Sequence, residues 1–250
     1  MPYTFLRLPI EFKDICKIYP PCVDDVLSES NYNYYHNIFT ISQEEIEDLL
    51  VEQGKISDVE HIPTPFEFLL IQAYNSPESY QLIRDAFQFF CHIPITILFD
   101  KKEIWLCDLE KEMGKISSEE GLEELIKTPK ITEDVFFDFQ NSIRNSLGED
   151  SVEPPIPDEH PKIKAMKAKA RYRDKIKAKQ GGGITLKTSL IAICCMGIGL
   201  TPLNIGKVSL SAISDIMNMR QEKEKYEIDI KSLLAGASSK KIKPKYWIHN

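Results

Sequence analysis

Residues 149–161 read EDSVEPPIPDEHP, with four prolines and five carboxylates. Proline lacks the backbone N–H that helices and central strands need, and it pushes the preceding residue out of the helical region. No regular element is expected through such a stretch, and its charges favour an extended chain. The molecule therefore divides into an acidic helical domain at 1–148, a Pro- and acid-rich linker at 149–161, and a basic helical region at 162–250. The charge changes sign across this divide. Residues 1–159 hold 12 Lys and Arg against 32 Asp and Glu, a balance of −20. Residues 160–250 hold 19 against 6, a balance of +13.

The acidic part carries strong helix punctuation. Ser42-Gln43-Glu44-Glu45 is a capping box ahead of Ile46, Leu49 and Leu50, and Gly54 supplies a stop. Thr64-Pro65-Phe66-Glu67 adds a proline at the first helical position. The following FEFLLIQAYN is apolar nearly all round, which predicts central burial. Ser76-Pro77-Glu78 opens a further helix through Phe87 and Phe90, ending near His92 and Pro94. The period then changes. Residues 95–99 and 104–107 are rich in β-branched and aromatic side chains and flank Asp100–Glu103, so a β-hairpin is expected at about 95–107. Two strands are marginal alone, and YTFLRL at 3–8 is the candidate third strand. Helices are expected again around Glu119–Ile126 and from a Thr132 cap to Gly148. With 42% hydrophobic residues, twelve Phe and ten Tyr, the chain can bury a core. The fold class expected is mainly α with a small β-hairpin, an α+β chain.

The search for chemistry returns little. GGGITLKTS aligns Gly181, Lys187 and Thr188 with a phosphate-binding loop, but Leu186 stands where the second glycine must let backbone wrap phosphate. Gly197-x-Gly199 begins a dinucleotide fingerprint and then meets Pro202. The histidines at 36, 61, 92, 160 and 249 lack paired-ligand spacing. Cys91 and His92 are adjacent, so on a helix they point about 100° apart, a poor nucleophile–base geometry. A buried cysteine beside a helix-ending histidine is the better reading. The six cysteines form no CxxC pair and read as reduced, buried hydrophobes of a cytosolic protein. The opening MPYTFLRLPIEF lacks the basic start and apolar core of a signal peptide. Carboxylates at 44–48 and 119–124 read as solvated helix faces. No catalytic residue, metal site or cofactor is assigned, and a non-enzymatic role is expected.

The run PKIKAMKAKARYRDKIKAKQ at 161–180 carries nine basic residues against one aspartate: Lys162, Lys164, Lys167, Lys169, Arg171, Arg173, Lys175, Lys177 and Lys179. Its alanines and lysines favour helix. At about 100° per residue the charges encircle the axis and leave only a strip of Ile163, Met166 and Ala170. A membrane-surface helix needs a broad apolar face, so membrane binding is disfavoured. A spacer attracted to an acidic protein surface, or to the acidic body, is the favoured reading. Phosphate tracking on nucleic acid is the alternative, weakened by a single aromatic, Tyr172.

The apolar run Leu190–Leu200 is too short for the roughly twenty residues a membrane crossing needs. It reads as a buried or partner-binding helix. From about Leu210 to Ala235 a long helix carries two stripes, Leu210, Ile213, Ile216 and Met217, then Tyr226, Ile230, Leu233 and Leu234. They are displaced by about a third of a turn, so one straight helix cannot press both on one surface. Either the helix bends between them, or it serves two contacts, for example its own domain and a partner; both stripes as internal core is the plain reading. The candidate hydrophobic contacts for a partner are Leu190, Ile191, Ile193, Met196, Ile198, Leu210, Ile213, Ile216, Met217, Tyr226, Ile230 and Leu233.

The C-terminal sequence KYEIDIKSLLAGASSKKIKPKYWI (225–248) and the linker with its basic helix, EPPIPDEHPKIKAMKAKARYRDKIK (153–177), resemble tail-assembly chaperone proteins of tailed bacteriophages. The resemblance covers mainly residues 154–250. It implies a non-enzymatic assembly factor of the host cytoplasm that coats the hydrophobic helices of a tape-measure protein and need not remain in the virion. A structural virion component is the other phage role, and self-association is compatible with either.

Overall fold

The computed structural model describes residues 8–54, 62–116, 119–152, 163, 166–171, 186–236 and 242–245. Strands β1 (Ile10–Phe12) and β2 (Cys16–Ile18) form a hairpin, followed by helices α1 (Val23–Ser28), α2 (Tyr32–Thr40) and α3 (Gln43–Glu52). Then come α4 (Pro65–Asn75), α5 (Pro77–Cys91), β3 (Thr96–Leu98), β4 (Glu103–Trp105), α6 (Leu109–Met113) and α7 (Glu119–Ile126). Strand β5 (Lys130–Ile131) leads into α8 (Glu133–Leu147), and beyond the linker lie α9 (Leu186–Cys195) and α10 (Leu210–Leu234). The fold is mainly α with small antiparallel sheets, as the sequence predicts.

The local signals act where they stand. Ser42 Oγ accepts the Glu45 N–H while the Glu45 carboxylate accepts the Ser42 N–H, and Thr64 and Glu67 repeat the exchange. Each box satisfies two of the orphan donors at a helix start. His92 ends α5 in the left-handed conformation, exposed beside buried Cys91. Of the other cysteines, Cys16 and Cys22 are buried, but Cys107 and Cys194 are half-buried and Cys195 is exposed.

The main core is aromatic. Phe39 of α2 sits edge-on to Phe87 at 4.9 Å and to Phe139 at 5.5 Å, and Phe87 stacks on Phe139 at 5.6 Å. Phe12 of β1 and Phe136 of α8 extend the cluster. The spacing explains the convergence: Ile83, Phe87 and Phe90 on α5, and Phe136, Phe139 and Ile143 on α8, each line one helical face. Edge-to-face rings of this kind add to the transfer free energy of their burial.

Two expectations are corrected here. Helix α4 buries Phe66, Leu69, Leu70 and Ala73 but leaves Ile71 and Tyr74 45% and 74% exposed. Its main neighbours, α5 and α8, leave that side uncovered, so it is not a central helix. The third strand beside the 95–107 hairpin is β5, whose Ile131 pairs with Ile104. Residues 3–7 lie outside the described residues, and Leu8 belongs to no strand.

A second cluster crosses the linker. Val23 of α1 packs with Ile193 of α9, Ile205 and Ile213 of α10, all buried. The backbone is tied here too: Val23 N–H donates to Val208 O and Leu210 N–H to Pro21 O. Residues 149–152 form no regular element, and the Asn141 side chain holds Val152 by both its N–H and its carbonyl.

Candidate partner-binding surface

Helix α9 lays Ile193 inward against α10, and Leu190, Cys194 and Met196 pack around it. On α10 the first stripe does the same: Ile213 is buried, and Leu210, Ile216 and Met217 pack against the same cluster. Ile193 and Ile213, 0% and 4% exposed, face Val23 and Ile205 of their own chain and present nothing outward. The second stripe behaves differently. Tyr226, Ile230 and Leu233 are half-buried and belong to neither core cluster, and Leu234 is 83% exposed. The displacement between the two stripes is what separates them, since α10 runs unbroken through both.

Other apolar side chains point outward. Ile191 on α9 and Ile198 beyond it are half exposed, and Ile228 lies open on α10. Among the large apolar side chains of the described residues, the greatest exposure is at Leu203, 97% accessible. Its loop is held from within. Asn204 Oδ1 accepts the Thr201 N–H at 2.7 Å, and its Nδ2 donates to Gly199 O at 3.0 Å. Gly197 and Gly199 take positive φ, which the turn requires, and buried Ile205 anchors the far end. A fixed loop thus displays an aliphatic side chain to solvent. Sequence periodicity does not single out Leu203, because it lies between helices; the Thr-Pro-Leu-Asn turn signature was the available signal.

Within the basic run, residues 166–171 are helical. Lys167 and Lys169 are exposed, while Lys162, Lys164, Arg173, Lys175, Lys177 and Lys179 lie outside the described residues. Arg171 turns onto α3: its guanidinium meets Glu47 at 2.5 Å, Glu44 at 3.4 Å and Asp48 at 3.6 Å. Ala168, one turn earlier, is 0% exposed. The helix therefore presents Ala168 and Arg171 to the protein, and Ile163, Met166 and Ala170 face solvent. The apolar strip is thus not the side that meets the body. The contact also corrects the reading of 44–48 as a solvated face, since Glu47 and Asp48 are only 5% and 6% exposed. Buried carboxylates need a counter-charge, and the planar guanidinium fork can meet several oxygens at once.

The titratable groups elsewhere are engaged in structure. An open cleft of about 530 Å³ beside α1 and α5 contains Tyr19, Asp25, Glu29 and His92. Asp25 accepts the Cys22 N–H, Glu29 accepts the Asn31 N–H, and His92 stacks on Tyr19 at 4.1 Å. His36 Nε2 meets Glu149 at 2.5 Å, with Arg144 on the other carboxylate oxygen. Burial alone would lower the His36 imidazole, yet the Glu149 hydrogen bond and charge hold it above its ordinary value. Burial would likewise raise Glu149, and His36 and Arg144 hold it below. Among the described residues, no group of three His, Cys, Asp or Glu is arranged to hold a metal, and no helix is long and apolar enough to cross a membrane. No protein-family model, no curated protein and no solved structure matches this chain.

Proposed function

We propose that the chain is a non-enzymatic assembly factor of the phage tail-assembly chaperone kind, holding an elongated hydrophobic helical partner such as a tape-measure protein in the host cytoplasm. The observation that carries this reading is the display of Leu203 on its braced loop. An apolar side chain fixed in place has little conformational freedom left to lose on binding, which is how hot-spot residues gain their effect. Ile191, Ile198, Ile228 and Leu234 are also exposed in the same C-terminal part. Apolar contacts of this type contribute about 25 cal/mol per Å² buried, enough for reversible capture.

The test is co-expression with the product of the gene immediately downstream, followed by affinity capture. Co-purification of a long, helical, otherwise insoluble partner, lost on Leu203→Asp, supports the reading. Capture that persists unchanged in Leu203→Asp and Ile198→Asp together would remove this surface from the mechanism. Salt-sensitive nucleic-acid binding in place of protein capture would replace it with the alternative role.

A further inference from the structure

A pair of thiols in the main core goes beyond that reading and does not depend on it. Strand β2 turns Cys16 and Ile18 inward and leaves Lys17 outside, and Cys91 is the last residue of α5. Cys16 and Cys91 belong to the same buried cluster, 8% and 2% exposed. The two segments are tied close by: Tyr19 N–H, three residues after Cys16, donates at 2.7 Å to the carbonyl of Phe90, the residue before Cys91. Across this seam the two thiols hydrogen-bond each other. We propose that Cys16 and Cys91 are a redox-responsive pair, reduced at rest, which a peroxide closes to a disulfide that staples the β1–β2 hairpin to the end of α5.

The hydrogen bond gives the two sulfurs different roles. The bond from Cys91 holds the Cys16 thiol below its ordinary value although burial opposes this, while the same bond, with burial, holds Cys91 well above. Cys16, also the less buried of the two, is therefore the nucleophile. Its thiolate forms an S–O bond to hydrogen peroxide as the O–O bond breaks, and the departing hydroxide takes up the thiol proton as water. Cys91 then attacks the Cys16 sulfenic acid: the S–S bond forms, the S–O bond breaks, and the second hydroxide leaves as water with the Cys91 proton. Two thiols lose two electrons and one peroxide becomes two waters. A thiol reductant reverses the bond. The staple stands beside the tie to the C-terminal part, where Pro21 O accepts the Leu210 N–H and Val23 N–H donates to Val208 O, so oxidation fixes that segment on α5.

Treating the folded full chain with hydrogen peroxide, alkylating the remaining thiols and mapping tryptic peptides without reductant reads the bond directly. Peptides 14–17 and 85–101 are expected joined, lighter than their sum by the two thiol hydrogens, and separated by dithiothreitol. Closing the long loop between 16 and 91 restricts the unfolded chain, so the thermal midpoint should rise by about 5–10 °C. Cys16→Ala keeps every other thiol, including the exposed Cys195, and should lose both the joined peptides and the rise. If Cys16→Ala fails to fold, the peptide map of the natural chain decides alone. Absence of the joined peptides from the oxidised natural chain, their formation only in urea, or an equal midpoint rise in Cys16→Ala overturns the proposal.

Discussion

The Cα of Ser211 lies 2.6 Å from where a Cβ on Gly148 would stand. The first residue after α8 therefore packs directly on the first turn of α10, and Ser214 Oγ donates to the Gly148 carbonyl at 3.0 Å. Gly148 also holds φ at +75°, so two independent constraints exclude a side chain there. Gly148→Ala is expected to cost about 2–4 kcal/mol, from left-handed strain plus a backbone clash that no rotamer relieves. Urea denaturation should show a lower midpoint with an unchanged slope. A midpoint within error of the natural chain would mean that the two helices do not meet at this point.

Leu203 and Ile193 should separate binding from stability. Leu203 makes almost no contact within the fold, so Leu203→Asp should leave stability within about 0.5 kcal/mol, as for other exposed sites. Ile193 is fully buried, and Ile193→Ala should cost about 2–5 kcal/mol by transfer and cavity terms. Partner affinity should fall at least about tenfold for Leu203→Asp, a loss of ~1.4 kcal/mol. Thermal melts and partner titrations of the two variants check both halves.

Phe39 stands where the rings of α2, α5 and α8 meet and is fully buried. Phe39→Ala should cost about 3–5 kcal/mol, while Phe39→Leu should cost less because it leaves a smaller cavity. Calorimetric or denaturant unfolding of both variants gives the ordering, and an equal loss for the two would argue against tight packing at this site.

The His36–Glu149 pair predicts a pH signature. His36 is raised, so its contribution is complete below its unfolded value near 6.5 and disappears as pH climbs through the folded value. Glu149 is lowered, so its contribution is complete above its unfolded value near 4.5 and disappears as pH falls through the folded value. The pair therefore stabilises most between those two values. His36→Gln should flatten stability against pH across the neutral range, measured as the unfolding midpoint in urea at successive pH. A curve for the variant parallel to that of the natural chain would exclude the pair as its source.

The helix starts at Ser42, Thr64 and Ser76, the hairpin over 95–107 and the extent of α10 were all legible, because each is decided within a few residues. Caps satisfy backbone donors three positions away, and a hairpin closes over its own turn. The β1–β2 hairpin escaped notice because its turn places Lys13 and Asp14, not glycine, at positive φ. Strand β5 has two residues, too few for any period to register. Among the proposed contact residues, the period gathered Leu190 and Ile193 with Ile191 and Ile198, although the fold packs the first two inward and leaves the other two open.

By itself, the sequence determined where helices begin and end, and that a net-acidic stretch precedes a net-basic one. These properties follow from local hydrogen bonding, side-chain period and summed charge. Only the tertiary structure decided which apolar stripe is covered, which side of the basic helix meets the body, and that Glu47 and Asp48 are buried. Those outcomes depend on groups far apart in the chain, as with Arg171 and Glu47, 124 residues apart. Competition among many surfaces for the same cover is settled by packing and charge together, not by the pattern of any one segment.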